Sequence, residues 1–245
     1  MITGFLYKEC KQHRLPIFLT MLAAGLAAFL PILLVMADVG TIAKEAFIRF
    51  AMDGMLLRSI YVIGCFLLSF AVQGMSMGGD DRKKWAYFVA SGPKGIRGFV
   101  CTKYLFIAML CVLYFALGTG LDLLFTLIAN VFGGIGIPAM AKVLFVMLFV
   151  QLLLHAIEIP FTVRFGAKGG SMIKTGLLIA AVLFLTAAFL LDPAGVADAV
   201  SVIMEHGAVP AFMKWLLPVI SIAVYVLSCL LSCKLYMKGA DEYYH

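Results

Sequence analysis

Six long apolar runs, at residues 15–37, 59–77, 104–129, 139–161, 173–191 and 216–234, leave this chain few ways to fold. Each is close to or beyond the roughly 20 residues that a helix needs to cross a hydrocarbon core. They are continuously rich in Leu, Ala, Phe and Met, whereas the strands of a membrane barrel alternate apolar and polar positions. The expectation is an all-α membrane protein, a bundle of six transmembrane helices. Overall, 64% of the 245 residues are hydrophobic and 13% charged, against about half and a quarter in soluble domains. One water-soluble globule of this size cannot hide that excess. Lys8, Lys11 and Arg14 precede the first run as in a signal peptide, but the run is too long and lacks a small-x-small cleavage site, so a retained helix is expected.

The bases set the orientation, because cytoplasmic loops collect Lys and Arg. With both termini inside, fourteen of the 19 bases lie on the inner side and only Lys44, Arg49, Arg58, Lys142 and Lys214 on the outer. The net charge of +6 then reflects topology and attraction to anionic lipid, with no sign of nucleic-acid binding. Four of the six cysteines, Cys65, Cys111, Cys229 and Cys233, fall in spans, and Cys10 and Cys101 face the cytoplasm. No pair has metal-finger spacing, and Cys229 and Cys233 sit one helical turn apart. They read as small apolar fillers, and no metal site is expected.

The whole chain, 1–245, reads as one membrane domain. Residues 1–14 carry Ile2, Phe5 and Leu6 at roughly helical spacing among bases, which suits a short amphipathic helix on the inner leaflet. Outside, residues 192–215 begin with Pro193 and end near Trp215, as expected of an extracellular re-entrant or interfacial segment.

Intramembrane polar residues are costly and so draw attention. Asp122 falls in the outer half of the third run. In the fourth run, Gln151, His155 and Glu158 share one helical face, with Arg164 close enough to pair with Glu158. A proton relay through Asp122, His155 and Glu158 would make the chain an ion-coupled secondary transporter. A structural polar stripe facing the bundle interior is the simpler account. One His-x-x-Glu pair is two ligands short of a metal centre. No phosphate loop, nucleophile elbow or dinucleotide fingerprint is present, so energy for transport must come from an ion gradient or another chain.

The loop DDRKKWAYFVASGPKGIRGFVCTKY, residues 80–104, is the most polar stretch between two spans. Trp85, Tyr87, Phe88 and Val89 anchor a short helix, Ser91-Gly92-Pro93 breaks it, and Ile96, Phe99 and Val100 begin a second amphipathic turn among Lys94, Arg97 and Lys103. Asp81, Trp85, Ser91, Pro93, Arg97, Lys103 and Tyr104, in that order, resemble the segment after the second helix in the membrane subunits of ABC-2 type transporters. The similarity is greatest to short six-helix bacterial permeases related to exporters of phenol-soluble modulins. Gly92 departs from the usual Leu, and Gly95 and Gly98 loosen the turn. Leu6-Tyr7-Lys8-Glu9 resembles the family's N-terminal interface helix, and Pro160 with Arg164-Phe165-Gly166 resembles the inner end of its fourth helix.

The resemblance implies a multi-pass protein of the bacterial cytoplasmic membrane with no catalytic residues of its own. It implies a permease of an ATP-driven exporter, paired with an identical or sister permease and moved by separate cytoplasmic ATPase subunits that bind ATP and Mg. The elbow at 80–103, with Tyr104, and the N-terminal helix with Lys8 and Glu9 would then transmit ATPase closure. The few fixed charges in the interior point to amphipathic peptides, lipids or hydrophobic drugs as cargo.

Overall fold

The computed structural model describes residues 3–36, 95–133, 141–195 and 211–242, together with positions 64, 66, 69 and 74. Among the described residues there are four long helices: α1 (Thr3–Met36), α2 (Gly95–Gly133), α3 (Ala141–Leu191) and α4 (Ala211–Glu242). No strand occurs among the described residues. Among the described residues, four stretches are long and apolar enough to cross a membrane: Gly95–Leu124, Val143–Gly166, Gly169–Leu191 and Trp215–Tyr236. They correspond to the third to sixth predicted spans. The first predicted span lies within α1 as far as Met36, and the helix runs unbroken from the predicted surface helix into it. The second lies outside the described residues apart from Gly64, Phe66, Ser69 and Gly74.

α2 is central because its side chains sort onto three faces. Tyr104, Ile107 and Cys111 pack with Phe149, Leu152 and Ile159 of α3, and Leu217, Tyr225 and Cys229 of α4 close over them. Phe106, Leu110 and Tyr114, at spacings of four, pack against Leu6, Ile17 and Met21 of α1. Leu105, Met109, Val112 and Leu113 form the third face and stay exposed, as lipid-facing residues must. Thr20 and Tyr114 join α1 to α2 through their hydroxyls.

α3 is two helices joined at Gly166, whose backbone (φ 78, ψ 177) lies in a region that only glycine occupies readily. The two halves fold back on each other. In a straight helix Glu158 and Lys174 would stand about 24 Å apart, yet Lys174 Nζ lies 3.4 Å from Glu158 Oε1. The turn between the fourth and fifth predicted spans is made at one non-helical residue. Thr162 and Gly170 face each other across it so closely that a Cβ at Gly170 would run into Thr162.

At its far end α3 closes with the Asp192 N–H donating to the Ala188 carbonyl. Asp192 Oδ1 then accepts from the Gly195 N–H at 2.9 Å. With Pro193 in the first helical position, Asp192 caps a new helix. Residues 196–210, which include most of the predicted interfacial segment, lie outside the described residues.

Candidate functional site

Most of the basic residues in the described helices collect at one end of the bundle. Lys103 lies in the third turn of α2, Lys174 follows the α3 turn and Lys234 nears the end of α4. Contacts among Tyr104, Ala156, Ser228 and Ser232 place these helix ends at one level. Three linked arrangements occupy this end.

The first ties the start of α1 to the start of α2. Glu9 and Lys103 are both buried, at 2% and 5% exposure, with Lys103 Nζ 3.0 Å from Glu9 Oε2. Lys8 Nζ lies 3.4 Å from the other carboxylate oxygen, and His13 Nε2 stands 3.6 Å from Glu9 Oε2. Phe99 supports the pair: the Lys103 ammonium sits 5.7 Å from its ring centroid. Phe5 packs edge-on against the same ring at 6.0 Å, and Tyr236 of α4 approaches it at 6.0 Å. A charge this deeply buried is tolerable only when paired and hydrogen-bonded, so the two helix starts form one stiff unit. α2 starts where it does because Gly95 takes a left-handed φ of 54. Phe99 and Val100 then point inward while Arg97 stays exposed at the surface.

The second arrangement centres on Tyr104. Pro160 has no N–H, so the Ala156 carbonyl four residues earlier loses its helical donor. Ser228 of α4 takes that place, its Oγ donating to the Ala156 oxygen. Tyr104 Oη lies 2.7 Å from both Ser228 Oγ and Ser232 Oγ. With one proton on each hydroxyl, the consistent order is Ser232 donating to Tyr104, Tyr104 to Ser228, and Ser228 to Ala156. Tyr225 Oη donates to the Tyr104 carbonyl at 2.7 Å. One buried chain of hydrogen bonds therefore joins α2, α3 and α4.

The third is the polar face of α3. Gln151, His155, Glu158 and Thr162 are all buried on it. Gln151 Nε2 donates to Ser69 Oγ at 2.7 Å. His155 Nδ1 lies 3.0 Å from Glu158 Oε2, and Lys174 holds the other carboxylate oxygen. Gly74 lies beside Lys174, whose Nζ is 3.9 Å from where a Cβ would stand. Each oxygen of Glu158 thus has a cationic or hydrogen-bonding neighbour within the protein. Asp122 is fully buried in the far half of α2, well away from this cluster along the sequence.

Of the residues singled out in the sequence, Glu9, Lys8 and Lys103 come together, as do His155 and Glu158. Tyr104 joins the hydroxyl chain, Arg97 is exposed beside it, and Gln151 reaches Ser69. Asp81, Trp85, Ser91 and Pro93 lie outside the described residues. Lys174, Ser228 and Ser232 escaped the sequence reading. Lys174 could have been found from its spacing, since it and Glu158 lie eight residues either side of Gly166. SCLLSC at 228–233 repeats a Ser-Cys pair at one helical turn, a sign that two polar stripes run along α4.

The sequence model of the family described as "ABC-2 family transporter protein" matches residues 42–237. No curated protein and no solved structure matches the chain significantly. That match spans most of α2, α3 and α4 with their buried polar chain, while α1 precedes it. The match covers most of the chain, which therefore belongs to the ABC-2 transporter family.

Proposed function

We propose that this chain is the permease subunit of an ATP-driven exporter. Two permeases, identical or sister chains, enclose the path, and separate cytoplasmic ATPase subunits bind ATP and Mg. The segment 80–103, with Asp81, Trp85, Ser91, Pro93, Arg97 and Lys103, forms the coupling elbow together with Tyr104. Lys8 and Glu9 of the N-terminal helix complete it. The observation that carries this reading is the buried Glu9–Lys103 pair with its Phe5–Phe99 clasp. A push on a soft loop dissipates in side-chain motion. A push on the elbow reaches a unit in which α1 and α2 are already locked, and the Tyr104 hydroxyl chain passes it to α3 and α4. Exposed Arg97 and Tyr7 at the same end offer a cation and an aromatic ring to a cytoplasmic chain.

The cargo is an amphipathic peptide, a lipid or a hydrophobic drug. Glu158 supports this because its charge is committed to His155 and Lys174 within the hairpin and is not presented to a passing ion. The same commitment disfavours an ion-coupled carrier built on Asp122, His155 and Glu158.

The test is copurification and transport. The permease should retain an ATPase chain through purification, and Trp85→Ala or Arg97→Glu should release it while the permease stays folded. Glu158→Gln and Asp122→Asn should lower transport only modestly. Cargo movement by the permease alone in vesicles, without any nucleotide-binding chain, would refute the proposal.

A further inference from the structure

Three of the six cysteines meet at the basic end of the bundle. Cys101, in the second turn of α2, faces Cys229 and Cys233 on α4, and the three sulfurs all lie within 4.8 Å of one another. Cys101 Sγ and Cys229 Sγ are 3.7 Å apart. The arrangement follows from the two stripes of α4. Ser228 and Ser232 turn toward Tyr104, and the next residue of each pair lies about 100° further round the helix, which brings both thiols to Cys101, three residues before Tyr104. Residues serving only as small apolar fillers have no reason to bring half of the chain's cysteines, from two helices, into a single triangle.

The geometry is that of a metal-binding face. A metal held by thiolates at about 2.3 Å requires sulfurs roughly 3.8 to 4.0 Å apart, whether the site is tetrahedral or trigonal. The Cys101–Cys229 separation already matches. An all-sulfur donor set selects soft ions, Cu(I) and Zn(II) above all, over Mg or Ca. Cys101 is exposed near the start of α2, whereas Cys229 and Cys233 are half-buried and hold the ion against the helices. Arg97, one turn before Cys101 and within electrostatic reach of Cys233, offsets the negative charge of the complex.

We propose that Cys101, Cys229 and Cys233 form a three-thiolate site for a soft d10 metal ion, with Cu(I) in trigonal coordination as its preferred occupant. Binding releases the three thiol protons and forms three metal–sulfur bonds, with no change of oxidation state. The ion then ties the start of α2 to the end of α4, one turn from the Tyr104 hydroxyl chain. Since that chain links the same helices, occupancy restrains the elbow's outlet into the bundle.

The test uses the full-length permease in lipid nanodiscs, purified anaerobically with its thiols reduced and titrated with Cu(I) against a competing chelator. One Cu(I) per chain is expected at the tight site, with loss of that site in each of Cys101→Ser, Cys229→Ser and Cys233→Ser and its retention in Cys10→Ser and Cys111→Ser. X-ray absorption on the wild-type protein, which needs no variant to fold, should give three sulfur neighbours around copper. Two or fewer sulfurs, or a tight site that survives Cys233→Ser, overturns the proposal. So does a Cys101–Cys229 disulfide in protein isolated under reducing conditions from cells. Zn(II) binding tighter than Cu(I) at the same three residues would overturn the choice of ion and the trigonal geometry.

Discussion

Replacing Gly166 by alanine tests the hairpin at the residue on which it turns. The backbone there combines φ 78 with ψ 177, a conformation in which a Cβ meets its own chain. Holding a non-glycine residue there costs about 1 to 3 kcal/mol. Part of the chain's relief would be to open the turn, and that would separate Glu158 from Lys174, now 3.4 Å apart. For a chain of this length, each 1 kcal/mol lowers the melting temperature by about 2 to 4 °C. Gly166→Ala should therefore melt roughly 2 to 12 °C below the wild type in nanodiscs. Gly176, ten residues further along the same helix, has ordinary helical φ and open space where a Cβ would stand. Gly176→Ala should be neutral or stabilising by up to about 1 kcal/mol, because alanine is the better helix former. The two variants share chemistry, helix and membrane, so differential thermal unfolding isolates the backbone term. If Gly166→Ala melts with Gly176→Ala, the turn is not held by that conformation.

Three further outcomes follow from the buried polar contacts. Glu9→Ala should destabilise by about 3 to 5 kcal/mol because it takes the buried carboxylate away from Lys103, while the double variant Glu9→Ala/Lys103→Met should recover much of the loss; an additive cycle in denaturant unfolding would show that the pair is not coupled. Ser228→Ala should cost about 1 to 2 kcal/mol by orphaning the Ala156 carbonyl. In a Pro160→Ala background, where the helical N–H donor is restored, that cost should shrink to the part owed to the lost Tyr104–Ser228 bond, and an unchanged cost would refute the role given to Pro160. Glu158→Gln should weaken the hairpin less when Lys174→Met is present than when Lys174 is intact, as read from protease resistance of the 158–174 turn.

The helical class and the four described spans could be read from hydropathy, because lipid leaves a continuous apolar run few alternatives. The polar face of α3 was legible for the same reason: Gln151, His155 and Glu158, at helical spacing in an apolar run, are individually expensive, and only Thr162 was added by the structure. The pairings were harder. Arg164 was the natural neighbour for Glu158 on a single helix, and only a reversal at one residue brings Lys174 back across to it. Glu9 and Lys103 lie 94 residues apart, so nothing local joins them. The cysteine triangle was hidden by reading Cys229 and Cys233 along α4 alone, since its third member belongs to another helix. Local spacing reveals what one helix presents, and the docking of helices decides who answers it.

The near-mirror layout around Gly166 bears on how this protein enters a membrane during synthesis. An isolated carboxylate or ammonium carried into the hydrocarbon centre costs about 2.5 to 3.5 kcal/mol. Glu158 and Lys174 each sit about 12 Å from the bend. If the two arms leave the translocation machinery as one folded pair, each charge travels with its opposite already beside it. Arms released one after the other would expose first an acid with only His155 beside it and then a base parted from its carboxylate. A bend of one residue, too short to let the second arm lag far behind the first, favours joint insertion.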